Sequence, residues 1–169
     1  MNYKLFTLSI ISIIIFNSCS VEPREIKYGE EVCNFCSMTV EDTKHASQII
    51  SKKGKIFTYG SIECMMRDNL NSYNDLILAS VNDFESEKAL INAEDSYYLI
   101  HEGFKSPMGA NLSAFKDRKI AEKLNGDHKG QVLNWEQLKI HFEIEKKNSK
   151  EQMKCEAGKC APGKCGGSN

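Results

Sequence analysis

The 169-residue chain carries seven cysteines in separate groups: Cys19 alone, then Cys33, Cys36 and Cys64, then Cys155, Cys160 and Cys165. That distribution constrains the fold more than any other feature. Disulfide scaffolds are short, and their bridges replace a hydrophobic core that is too small to hold the chain. These groups are unevenly placed, and the chain is long enough to bury a core without staples. With 41% hydrophobic and 27% charged residues it has the make-up of one ordinary globular domain. A formal net charge of −1 supplies no field that would draw it to nucleic acid. The cysteines therefore read as reactive or metal-binding thiols.

Residues 1–18 hold one charge, Lys4, followed by an apolar run over 5–16 broken only by Thr7, Ser9 and Ser12. A short basic start and an apolar stretch too short to span a bilayer comfortably have the layout of an export signal. Phe16-Asn17-Ser18-Cys19 resembles a lipobox, the processing site of bacterial lipoproteins. The resemblance implies cleavage before Cys19, acylation of its thiol, and a lipid anchor that leaves the rest of the chain outside the cytoplasm. Residues 19–30 are polar and read as a tether. Residues 146–169 hold six lysines, two glutamates, four glycines and a proline, a composition that predicts a disordered basic tail.

Between tether and tail, 31–145 reads as one α+β domain. The runs 45–50 and 55–59, separated by Lys52-Lys53-Gly54, predict a β-hairpin with glycine at the turn. Ser61 is placed to cap a helix through about Ser72, because Ile62, Met65, Met66 and Leu70 recur at helical spacing. A strand over 76–81 follows. A second block has strands at 97–100 and 112–115 and a helix capped by Asp117 that runs to Leu124. Each block thus reads as two strands and a helix, a hint of internal duplication. Val132-Leu133 suits a closing strand, and Asn134 is placed to cap a last helix bearing Trp135, Leu138 and Phe142 on one face.

Cys33-Asn34-Phe35-Cys36-Ser37-Met38 puts three sulfur side chains close together. A two-residue spacer lets both cysteines converge on one ion, and it equally permits a disulfide. A zinc site calls for a second closely spaced pair, which the body of the chain lacks. A thioredoxin-type centre calls for a helix directly after the motif, where a hairpin is expected instead. Methionine thioether suits soft Cu(I) better than zinc, so Cys33, Cys36 and Met38 together favour copper. The alternative at this level is a structural disulfide with Met38 in the core.

In Ser106-Pro107-Met108-Gly109, proline and glycine define a turn that could present the Met108 thioether to the same ion or simply bury it. Cys64-Met65-Met66 lies on the first helix, where successive residues point about 100° apart, so at most one or two of them face a metal. Cys64 is a possible additional ligand, and in the commoner pattern a small buried hydrophobe. The histidines are scattered. The tail repeats Lys-Cys at 154–155, 159–160 and 164–165, so Cys155, Cys160 and Cys165 are possible further soft-metal ligands.

The residues from Cys33 to Met38, the hairpin reaching Tyr59, Ser61-Ile62-Glu63-Cys64-Met65, residues 93–98, Ser106-Pro107-Met108-Gly109 and Ser113-Ala114-Phe115 resemble, in order, the NosL family of bacterial lipoproteins. The resemblance implies an α+β fold of two small ββαβ-type units and a Cu(I) metallochaperone with no catalytic residues. It makes Cys33, Cys36, Met38 and Met108 the metal-site residues. It also implies nitrous oxide reductase or a related cuproenzyme as acceptor, an ABC-type membrane complex as partner, and an envelope location on the outer membrane. Where the family has glycine before the motif methionine, this chain has Ser37. Two other readings of the C-x-x-C pair are a dithiol-disulfide oxidoreductase and a zinc- or mercury-binding module without transfer activity.

Overall fold

The computed structural model describes residues 21–69, 75–126 and 129–157. The expected signal sequence, Cys19, His128, Cys160 and Cys165 lie outside them. Among the described residues, seven strands and three helices follow in the order β1 (Ser47–Ser51), β2 (Ile56–Tyr59), α1 (Ile62–Asn69), β3 (Leu76–Asn82), β4 (Leu90–Asn92), β5 (Tyr97–Ile100), β6 (Leu112–Phe115), α2 (Arg118–Leu124), β7 (Gln131–Asn134) and α3 (Trp135–Ala157).

The strands form two antiparallel sheets, ordered β2-β1-β3-β4 and β6-β5-β7. In each, the first strand of the unit is central, its hairpin partner lies on one side, and the strand after the helix lies on the other. β1-β2-α1-β3 and β5-β6-α2-β7 are therefore the same ββαβ topology used twice. The units meet where Asp83, just past β3, forms a parallel bridge with Ala114, and Phe84 N–H donates to Ala114 O at 2.8 Å.

Local chemistry accounts for most boundaries. Gly54, at φ +74, turns the β1–β2 hairpin and donates to Ser51 O at 2.8 Å. The strand expected from residue 45 begins at Ser47, because Asp42 Oδ1 accepts from Lys44 N and His45 N (2.8 and 3.0 Å) and holds that stretch as a turn. Asp117 caps α2 by accepting from Lys119 N at 2.8 Å. Asn134 and Gln137 cap α3 reciprocally, each side chain accepting from the other's backbone N–H at 2.9 Å. β4 was not anticipated, since three residues are too few to show an alternation.

Two observations bear on the ends of the domain. Within residues 19–30, Arg24 exchanges backbone hydrogen bonds with the Gln48 side chain, and Ile26 is buried. At the other end helix α3 runs through Ala157, because Lys146, Lys147, Lys150 and Glu151 are good helix formers and no glycine intervenes before Gly158.

The strands of the second sheet present alternate residues to two cores. Tyr98, Leu112 and Ala114 join Ile49, Ile62, Met65, Met66, Leu138 and Phe142 in a core shared by both units. Leu99 and Phe115 point the other way, onto Ala121 of α2. Trp135, Leu138 and Phe142 fasten α3 to the shared core, and Arg67 of α1 pairs with Glu145 at 3.0 Å. α1 is thereby clamped between the first sheet and α3, with its N-terminus directed at the loop carrying the cysteine motif.

Candidate metal centre

The C-x-x-C-x-M segment is a small closed loop. Val32 and Thr39 pair across its base, Cys33 N–H donates to Met38 O at 2.8 Å, and Ser37 N–H donates to Cys33 O at 3.0 Å. Closing it requires a left-handed residue, and Ser37 takes that role at φ +61. The glycine usual at this place in the resembled family would meet that requirement without steric cost, so the serine is a substitution at a strained position. The loop is pinned to the edge strand β2 through Asn34 N–H to Thr58 O at 2.9 Å. Glu31 holds its base: the carboxylate accepts from both Arg24 guanidinium nitrogens (2.6 and 2.7 Å), from Lys27 N–H and from Thr58 Oγ1 (each 2.8 Å). Arg24 chiefly, with these other donors, overcomes the effect of burial and lowers the Glu31 pKa to about 2.

β2 runs directly into α1, and this delivers the third thiol. Ser61 caps the helix by accepting from Cys64 N–H at 3.2 Å, which sets Cys64 in the first turn, facing the loop. The Cys33, Cys36 and Cys64 sulfurs all lie within 4.8 Å of one another, and all three are free thiols. Cys33 and Cys64 are buried, while Cys36 is partly open. Sulfurs this close need only small rotamer adjustments to share one ion at bond lengths of about 2.3 Å.

The thiols are not equivalent. Burial would raise Cys33, but the N–H groups of Cys36, Gly60 and Phe35 and the Cys36 side chain outweigh it, and its pKa falls below the ordinary thiol value. Burial pushes Cys64 up to about 12 against the Ser61 hydroxyl, with Cys33 and Cys36 adding repulsion. The negative charge of a thiolate is thus favoured at Cys33 and disfavoured at Cys64, whose proton a bound cation would help to displace.

Met38 and Met108 both line the cleft over these thiols, whose volume is about 310 Å³. Met38 stands at its mouth, 62% exposed, so it is not the core residue of the disulfide alternative. Met108 is partly buried against the shared core, in a turn closed by Gly109 N–H to Ser106 O at 3.1 Å. Glu41 and Asp42 add carboxylates to the wall. The fold therefore brings together Cys33, Cys36, Met38 and Met108 and adds Cys64. Cys155 falls near the end of α3, and its side chain is outside the described residues.

His45 is not available as a ligand: its Nδ1 bonds Asp42 Oδ1 at 2.9 Å and its Nε2 bonds Ser113 Oγ at 3.1 Å, tying the first unit to the second. His101 Nδ1 accepts from Gly103 N–H at 2.9 Å. Sequence reasoning singled out neither Asp42 nor the buried pair formed by Glu63 and Ser106, whose hydroxyl donates to Glu63 Oε1. The only sequence signal for that pair was the proximity of each residue to a sulfur motif.

Comparison with known proteins agrees with the fold. The chain is 30% identical over 129 residues to a copper-binding lipoprotein NosL of Stutzerimonas stutzeri, covering 70% of this chain and 67% of that one. The crystal structure of a copper chaperone NosL from Shewanella denitrificans superposes with a TM-score of 0.57 at 16% identity, over 68% of this chain and 96% of that one. The NosL family model matches residues 23–142, from the packed end of the tether to the last core residue of α3. The chain belongs to the NosL family.

Proposed function

We propose that the protein is a Cu(I) metallochaperone. The observation that carries this reading is the convergence of the Cys33, Cys36 and Cys64 thiols beneath the Met38 and Met108 thioethers at one cleft. Thiolate and thioether together are a soft donor set, which suits Cu(I) and gives hard cations little to bind. The buried thiols form the floor of the site and shield the ion from water. Met38 at the mouth is the weak, exposed ligand that an incoming donor would displace, so transfer begins there and no bond in the cargo's carrier is broken. The copper-binding and copper-chaperone descriptions of the two relatives support the same reading.

In the cell the chain would be anchored through acylated Cys19 on the outer membrane, facing the periplasm. It would pass copper to nitrous oxide reductase or a related cuproenzyme beside an ABC-type membrane complex. No helix among the described residues is long and apolar enough to cross a membrane. Cys155, Cys160 and Cys165 would form a separate soft-metal arm.

The test is Cu(I) titration of the full chain in detergent under anaerobic conditions, in competition with a chromogenic chelator. X-ray absorption would report oxidation state and sulfur ligands. One tightly held Cu(I) at the body of the chain is expected, weakened by Cys36→Ser and by Met108→Ala. Unchanged affinity in both variants would overturn the site. Dithiol-disulfide exchange that survives Met38→Leu would move the assignment to an oxidoreductase using Cys33 and Cys36.

A further inference from the structure

Glu63 is a carboxyl group with no surface exposure, next to Cys64 in the first turn of α1. One of its oxygens accepts a hydrogen bond from Ser106 Oγ, and Oε2 has no partner among the described residues. A buried polar group left half satisfied is costly, so its retention calls for a reason beyond packing. Its one partner supplies that reason. Ser106 begins the turn that carries Met108, and its Oγ also accepts from Leu112 N–H at 3.3 Å, at the start of β6. A single hydroxyl therefore joins α1, which holds Cys64, to both ends of the loop that holds Met108. Only Pro107, whose φ is locked by its ring, stands between Ser106 and Met108, and Gly109 N–H donates to Ser106 O across the turn, so the backbone that carries Met108 is placed by where Ser106 is held.

We propose that the Glu63–Ser106 hydrogen bond is the latch that sets Met108 over the thiols, which makes both residues positioning residues of the copper site. The proposal rests on the reading of Met108 as a ligand. A thioether is a neutral, weak donor, and its contribution depends on being held in place before the ion arrives. Loss of the latch leaves all five sulfur side chains in the chain but frees the loop, so the ion keeps its thiolates and loses Met108.

The experiment compares Cu(I) affinity, by chelator competition on the full chain, for wild type, Met108→Ala, Ser106→Ala and the double variant, with Ser106→Thr, Glu63→Gln and Glu63→Leu alongside. Ser106→Ala and Met108→Ala should each weaken binding, by about 10- to 100-fold for the positioning residue. The double variant should bind as Met108→Ala does, because Ser106 acts only through Met108. Ser106→Thr keeps the hydroxyl and Glu63→Gln keeps an acceptor oxygen, so both should bind as wild type does. Glu63→Leu fills the space without an acceptor and should match Ser106→Ala, which decides the matter if one variant fails to fold. X-ray absorption of copper-loaded Ser106→Ala should lack the same sulfur contribution as Met108→Ala. Additive losses in the double variant, or wild-type affinity in Ser106→Ala or Glu63→Leu beside a weakened Met108→Ala, would overturn the latch and leave the copper site standing. Wild-type affinity in Met108→Ala would remove Met108 as a ligand and the latch with it.

Discussion

Replacing Ser37 by glycine should stabilise the protein without altering the donor set. Ser37 is the residue between Cys36 and Met38, and its φ of +61 closes the loop that turns Met38 outward. An L-residue with a Cβ in the left-handed region carries a cost of about 1–2 kcal/mol. Glycine removes that cost, and its greater freedom in the unfolded chain takes back roughly 0.5–1 kcal/mol. The net expectation for Ser37→Gly is a gain of about 0.5–1 kcal/mol, which for a domain of this size raises Tm by about 1–4 °C. Urea unfolding of the metal-free, reduced chain measures it as a higher midpoint at unchanged slope. Ser37→Ala keeps the Cβ and should show no gain. Ser37→Val, branched at a left-handed position, should fall below wild type. The order Gly above Ser and Ala, and these above Val, follows from backbone sterics alone. A Ser37→Gly protein no more stable than wild type would refute the argument.

Further expectations concern the support around the site. Glu31 has a pKa of about 2 in the fold against an ordinary 4.5, so the folded chain holds this proton less tightly than the unfolded one. The stability it contributes is complete above about pH 4.5 and is lost as the pH falls toward 2, and Glu31→Gln should flatten unfolding curves over that window. Phe142 is 1% exposed in the shared core, so Phe142→Ala should cost about 3–5 kcal/mol in urea unfolding. Asn134→Ala removes one half of the reciprocal cap of α3 and should cost about 1 kcal/mol by the same measure. Deleting residues 151–169 tests the thiol arm: copper stoichiometry should drop while the affinity of the Cys33 site holds, and an unchanged stoichiometry would show that those residues take no copper.

Much of this protein is written in short stretches. Gly54 at a hairpin turn, Asp117 and Asn134 at helix starts, and the apolar stripe of Trp135, Leu138 and Phe142 act within a few residues of themselves, so sequence alone located β5, β6, α2 and the start of α3. Cys33, Cys36 and Met38 were legible as a soft-metal motif for the same reason, since their spacing closes one local loop. Met108 was legible as a turn residue that either joins the cysteines or is simply buried, and the family resemblance was needed to choose between the two. Cys64 resisted reading because a thiol on a helix is the same residue whether it packs or ligates. What decides is the direction of the α1 N-terminus, and that is set by β2 running into the helix and by α3 clamping it from behind. The bond from Ser106 to Glu63 and the bridge of Asp83 to Ala114 belong wholly to the tertiary structure. They join segments far apart in the chain, and only the packing of one ββαβ unit on the other brings them together. Local hydrogen bonding and sterics thus determined the elements and the three sulfurs of the Cys33–Met38 loop, while burial of one shared core decided which distant sulfurs meet.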